Sequence, residues 1–71
     1  MIFMKFKDLY LNLKQINWIG KKGGSNSPPC IVFYFRSGHK IAWEYDDEKE
    51  RDNDFNQLIE IFKNYQKEVQ R

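Results

Sequence analysis

Residues 31–45 read Ile31-Val-Phe-Tyr-Phe-Arg-Ser-Gly-His-Lys-Ile-Ala-Trp-Glu-Tyr45, and their order decides the fold. Arg36-Ser37-Gly38 has the form of a three-residue hairpin loop, two right-handed residues followed by a glycine that enters the left-handed region without steric cost. Such a loop pairs Phe35 with His39, Phe33 with Ile41 and Ile31 with Trp43. Side chains alternate along a strand. Ile31, Phe33, Phe35, Ile41, Trp43 and Tyr45 therefore share one face, while Val32, Tyr34, Arg36, Lys40, Ala42 and Glu44 share the other. A two-residue loop at Ser37-Gly38 would spread the aromatic rings over both faces, and burial rules that register out.

Length sets how much this hairpin must carry. The chain has 71 residues and forms a single domain, 1–71. A domain of this size buries only about 60% of its unfolded surface, so each apolar stripe is needed for stability and little core is left over for an enclosed active site. Aromatic residues make up 17% of the chain and offset the shortness, since each large ring buries about 150–250 Å².

Upstream, Ile2, Met4 and Phe6 alternate with Phe3, Lys5 and Lys7. A tight turn at Lys7-Asp8 aligns Phe6 with Leu9, Met4 with Leu11 and Ile2 with Leu13, giving a second short hairpin with one apolar face. The phase then slips, because the next apolar residues are Ile16, Trp18 and Ile19. Asn12–Gln15 is read as a bulge or a single helical turn before a third strand, Ile16 to Gly20, on which Trp18 and Ile19 face opposite ways. Residues 20–29, Gly-Lys-Lys-Gly-Gly-Ser-Asn-Ser-Pro-Pro, are expected to be a flexible internal loop entering the strand at Ile31 in extended form.

Downstream, the pattern changes from period 2 to period 3.6. Asp47 followed by Glu50 has capping-box form and places the helix start between Asp46 and Glu48, with Lys63, Lys67 and Arg71 toward the end that favours cations. Phe55, Leu58, Phe62, Tyr65 and Val69 form a stripe widened by Ile59, and Ile61 lies off it. The fold class is α+β: an antiparallel sheet of three or four strands, β-β-β-β-α, with one long C-terminal helix packed on one face.

Formal net charge is +2, but it is unevenly spread. Residues 1–43 hold seven Lys/Arg and one Asp, whereas residues 44–54 hold seven Asp/Glu and two Lys/Arg. The basic sheet region and the acidic helix start can serve partners of opposite sign or one another.

No combination of residues has catalytic form. Gly20-Lys-Lys-Gly-Gly24 lacks the Walker order, in which Lys and Ser/Thr follow the glycines and open a helix. The acidic run Asp46–Asp54 lacks the glycine and spacing of an EF-hand. Cys30 pairs with Glu44 in the register above, while His39 lies at the far end of the hairpin and on the other face, so they form no nucleophile and base. One cysteine and one histidine also make no zinc set, and neither a cofactor nor a small-molecule substrate is implied. No segment approaches the ~20 apolar residues of a membrane span, and the start lacks signal-peptide form, so a cytoplasmic protein without membrane contact is expected.

The sequence therefore points to a noncatalytic protein-interaction module that binds a protein partner or self-associates, since Ile31–Phe35 is apolar on both faces. The candidate binding surface is Tyr34, Arg36 and Lys40 on the even face with Lys21 and Lys22 in the loop. The alternative is single-stranded nucleic acid bound by the same aromatic and basic groups, joined by Tyr10, Lys14 and Trp18. The run Leu9–Ile19, followed by a strand, a Ser-Gly turn, another strand and an acidic capped helix, resembles small uncharacterised proteins of bacteria and their mobile elements. That resemblance implies a small accessory or binding protein. Strands followed by one C-terminal helix are also similar in outline to the dimeric single-stranded-DNA-binding fold of the positive cofactor 4 type, as fold-level analogy alone.

Overall fold

The computed structural model describes residues 3–69, the side chains of residues 66–69 excepted. Strands β1 (Phe3–Phe6) and β2 (Leu9–Asn12) form a two-stranded antiparallel sheet. A 3-10 turn, Leu13–Gln15, leads into β3 (Ile16–Lys22), which joins β4 (Cys30–Phe35) and β5 (Lys40–Glu44) in a three-stranded antiparallel sheet with β4 in the middle. Helix α1 (Glu48–Val69) closes the chain. The architecture is α+β with antiparallel strands and one C-terminal helix, as the sequence predicts. The strands divide between two sheets because the 3-10 turn ends β2 before β3 begins.

The hairpin β4–β5 adopts the predicted register, Ile31 opposite Trp43 and Phe33 opposite Ile41. Its loop closes through Gly38 N–H to the Phe35 carbonyl (3.0 Å) and Phe35 N–H to the His39 carbonyl (2.9 Å), with Gly38 at φ +96°. The first hairpin also pairs as expected, Phe6 with Leu9 and Met4 with Leu11. The expected Ile2–Leu13 pair lies outside the described residues, as does the Val69 side chain. Leu13 itself is buried in the 3-10 turn, where the Asn12 side chain accepts from Lys14 N–H.

β3 runs to Lys22 rather than Gly20, so the connection is residues 23–29. An irregularity at Asn17 reconciles its mixed pattern. Ile16 pairs with Phe35, Asn17 is the extra residue, and Trp18 pairs with Tyr34. One inserted residue inverts the phase, placing Ile16 and Ile19 toward the core and Trp18 outward.

The core gathers on the odd face of β4. Phe33 and Ile31 are both 0% exposed, and Met4, Phe6, Leu11, Leu13, Ile16, Tyr45 and Leu58 complete the buried cluster. Phe55, Phe62 and Tyr65 of the helix stripe pack against it. The first hairpin shares this work: the Phe6 ring meets Phe33 edge-on at 5.3 Å and Trp43 at 5.9 Å. The helix thus covers the sheet together with β1–β2. Ile41, on the core face of the outer strand β5, remains 37% exposed.

The helix begins where predicted. Asp47 carboxylate oxygens accept from Lys49 and Glu50 N–H, both at 3.4 Å, and the Asp47 carbonyl accepts from Arg51 N–H. Asp47 is therefore the N-cap. The far side of Glu50 turns to Lys7 (3.9 Å) instead of closing the capping box.

A Cβ built on Gly38 would meet nothing within 4 Å, so a substitution there tests conformation alone. Gly38→Ala is expected to cost about 1–2 kcal/mol, from the left-handed backbone penalty, and Gly38→Asn less. Urea denaturation of the two variants with unchanged m-values measures the difference.

Candidate functional site

The face of the three-stranded sheet away from the helix is built from alternate residues of three strands: Trp18, Gly20 and Lys22 from β3, Cys30, Val32 and Tyr34 from β4, and Lys40, Ala42 and Glu44 from β5. The Trp18 and Tyr34 rings stack in parallel, with centroids 3.6 Å apart and an interplanar angle of 13°. Trp18 leans over Gly20, its ring 3.4 Å from the place a Cβ would occupy. Trp18 is still 53% exposed. Lys22 Nζ lies 5.7 Å from the Tyr34 ring centre, and its interaction with the Tyr34 hydroxyl raises the lysine pKa further. Val32, between Gly20 and Ala42, is only 4% exposed in the single chain.

The structure brings together three of the five predicted surface residues: Lys22, Tyr34 and Lys40. Lys21 is a correction. The regular alternation beyond Trp18 turns it to the helix side, where its Nζ lies 3.5 Å from Asp52 and 5.4 Å from the Phe55 ring centre. Arg36 sits apart from the stack at the hairpin loop, its N–H bonded to the Gln15 carbonyl (2.8 Å) and its side chain exposed. There it borders a groove of about 830 Å³ lined by residues 13–19, Arg36, Ile59, Phe62 and Tyr65. Trp18 borders both the groove and the sheet face. His39 is exposed, with Nδ1 2.9 Å from Ser37 Oγ, and Cys30 stands opposite Glu44 as expected.

The acidic helix start is occupied within the chain. Arg51 is 4% exposed, and its guanidinium donates to Asp52 Oδ1 (2.7 Å), the Lys22 carbonyl (2.9 Å) and Glu48 Oε1 (3.4 Å). It joins the first helical turn to the end of β3. Lys7 takes a similar position on the other side, 3.1 Å from Asp54. The Tyr45 hydroxyl donates to the same Asp54 carboxylate at 2.6 Å. Arg51 was hidden in the sequence because, like Lys49, a base among acids reads as solvated surface, and only the register of β3 places a carbonyl within its reach.

These contacts also move protonation equilibria. The Tyr45 hydrogen bond, aided by Lys7, lowers the Asp54 pKa, and the Arg51 hydrogen bond lowers that of Asp52. Burial, reinforced by Asp54, pushes Tyr45 well above its ordinary range. None of these groups borders the groove, and among the described residues no group of three His, Cys, Asp or Glu side chains could hold a metal ion. No described helix is long and apolar enough to cross a membrane.

No family model, curated protein or solved structure matches the chain. The outline similarity to the single-stranded-DNA-binding fold rests on element order alone, and here the strands form two sheets.

Two measurements follow. Arg51→Met should lower stability by about 1–3 kcal/mol, the scale of lost charge-assisted bonds and a stranded carbonyl, while Lys21→Met at its exposed pair stays near neutral; urea titration separates them. The pH profile should fall at both ends. The depressed Asp52 and Asp54 contribute stability that is present above their ordinary 3.8 and is lost as pH falls through the folded values. The raised Tyr45 contributes stability that is present below its ordinary 10.0 and is lost as pH rises toward the folded value. Tyr45→Phe should flatten the alkaline limb in thermal melts.

Proposed function

We propose that this protein is a noncatalytic interaction module that holds its partner on the helix-free face of the three-stranded sheet. The supporting observation is the position of Trp18. In a chain short of core, the bulge at Asn17 turns one of the sheet's two tryptophans outward, half exposed and stacked on Tyr34. An exposed aromatic pair offers a large contact area at low entropic cost, and its cationic flanks Lys22 and Lys40 favour an anionic partner surface. The noncatalytic reading is supported by the groove, whose described lining includes Lys14, Arg36, amides and Tyr65 but no carboxylate, imidazole or thiol to act as base or nucleophile.

The same residues favour a second reading, single-stranded nucleic acid. A base could continue the stack from the open side of Trp18 while Lys22 and Lys40 meet phosphates. Self-association has less support, because the apolar even side of β4 is covered within one chain, Val32 lying between Gly20 and Ala42 in the central strand.

The test compares the tagged protein with Trp18→Ser/Tyr34→Ser. Both should show the same helix and strand signal by circular dichroism, and a partner recovered from host extract by the parent should be lost from the variant. Retention by the variant would remove the face from function. In parallel, a labelled single-stranded oligonucleotide is titrated at low and at raised salt. Binding that weakens steeply with salt and disappears in the variant would select nucleic acid over protein.

A further inference from the structure

We propose that the groove beside β3 is a second binding site, which takes an extended peptide of alternating apolar and acidic residues as an added strand on the free edge of β3. This extends the interaction reading to a different surface and does not depend on the helix-free face.

The first observation is the course of the lining along the chain. Seven successive residues, 13–19, border the groove. Leu13–Gln15 belong to the 3-10 turn and Asn17 is the bulge residue, so the lining follows the turn into the first part of β3, Ile16–Ile19. β3 pairs with β4 on one side, and no described strand pairs with its other side. Beyond the irregularity at Asn17, residues 18–22 continue in regular pairing with β4. The opposite edge, with which no described strand pairs, carries the backbone groups that strand addition uses; Trp18 and Ile19 border the groove, while the far end is held by Arg51 at the Lys22 carbonyl.

The far wall supplies side-chain pockets. Ile59, Phe62 and Tyr65, all partly buried, come from the second half of α1. At about 1.5 Å per residue the 22-residue helix is about 33 Å long, whereas six-residue β4 spans about 20 Å. The helix is longer than the strand, and Ile59, Phe62 and Tyr65 border the groove while Phe62 and Tyr65 also pack against the core. A strand bound there would present every second side chain to this wall.

Charge sets the other half of the partner. Lys14 and Arg36 border the groove, and no Asp or Glu is among its described lining residues. Both cations belong to exposed residues. A peptide that alternates isoleucine-like with acidic residues satisfies the apolar wall, the two cations and the open edge together, whereas a nucleic acid strand would leave the β3 amides and the apolar wall without partners.

The test uses the full chain and a short synthetic peptide of alternating Glu and Ile, with binding followed by amide chemical shifts and fluorescence anisotropy. Saturable binding is expected, with shifts concentrated on residues 13–19 and on Ile59, Phe62 and Tyr65. Methylation of alternate peptide nitrogens should abolish binding in one phase and be tolerated in the other, because only alternate amides of an added strand face β3. Lys14→Glu/Arg36→Glu, at two exposed positions, should weaken binding at least about tenfold without altering the circular dichroism spectrum. The peptide version with Lys in place of Glu should bind weakly to the parent and better to that variant. Absence of saturable binding, equal tolerance of both methylation phases, or occupation of the groove by a single-stranded oligonucleotide in competition with the peptide would overturn the proposal. Trp18→Ser/Tyr34→Ser reports separately on the helix-free face, so the two readings fail independently.

Discussion

The structure depends on β4 holding the central place in its sheet with apolar side chains on both faces. Phe33 and Ile31 on its odd face are fully buried, and Val32 on its even face nearly so. A central strand hydrogen-bonds on both edges, so its burial leaves no backbone group unpaired, and Phe33 can stand at the meeting point of β1, β5 and α1. A chain of 71 residues has few side chains to spend on a core, and placing its most apolar segment in the middle makes each of them count twice.

Once β4 is central, the charged segments have little freedom. The acidic start of α1 must pass close to the end of β3 and to the turn of the first hairpin, both of which carry lysines. Three of the carboxylates are met there at short range, Glu48 and Asp52 by the buried Arg51 and Asp54 by Lys7, with a hydrogen bond from the Tyr45 hydroxyl besides. Surface pairs of this kind contribute little singly. Arg51 differs because its guanidinium reaches a backbone carbonyl 29 residues away, fixing where the helix begins relative to the sheet. Part of the charge asymmetry of the sequence is thus an internal contact through Lys7 and Lys21, and of the five other cations in residues 1–43 all but Lys5 lie on the surfaces proposed for binding.

What could be read in advance follows from the range of each interaction. The β4–β5 loop, the register of both hairpins, the helical turn after Asn12 and the Asp47 cap are set by residues within a few positions of one another, and turn chemistry or periodicity exposes them. Tyr34 and Lys40 were placed on the helix-free face for the same reason, through alternation along a regular strand, whereas Lys22 was read as loop and stands on that face because β3 continues through it. Lys21 was misplaced because the glycines and prolines of residues 20–29 read as loop, whereas β3 continues through Lys22 and alternation carries Lys21 to the helix side. The part of the first hairpin in covering Trp43, the clamp by Arg51 and the groove beside β3 arise from packing between distant segments, and no local pattern records them.

The bulge at Asn17 links these levels. Without the extra residue, Ile16 and Trp18 would share one face, and either the tryptophan would compete for the core or the isoleucine would be exposed. With it, Ile16 and Ile19 both reach the core while Trp18 stands outward on Tyr34. The same insertion follows the 3-10 turn at the groove, where Arg36 N–H closes on the Gln15 carbonyl and the regular strand begins. One residue therefore both repairs the core pattern and delivers the aromatic side chain to the boundary between the two surfaces. Repairing the core needed only a phase change at this position, which does not itself require tryptophan at 18. The largest side chain at an outward site stacks on Tyr34 and leans over Gly20 yet stays half exposed, and the partner proposed for this face would cover the rest of it.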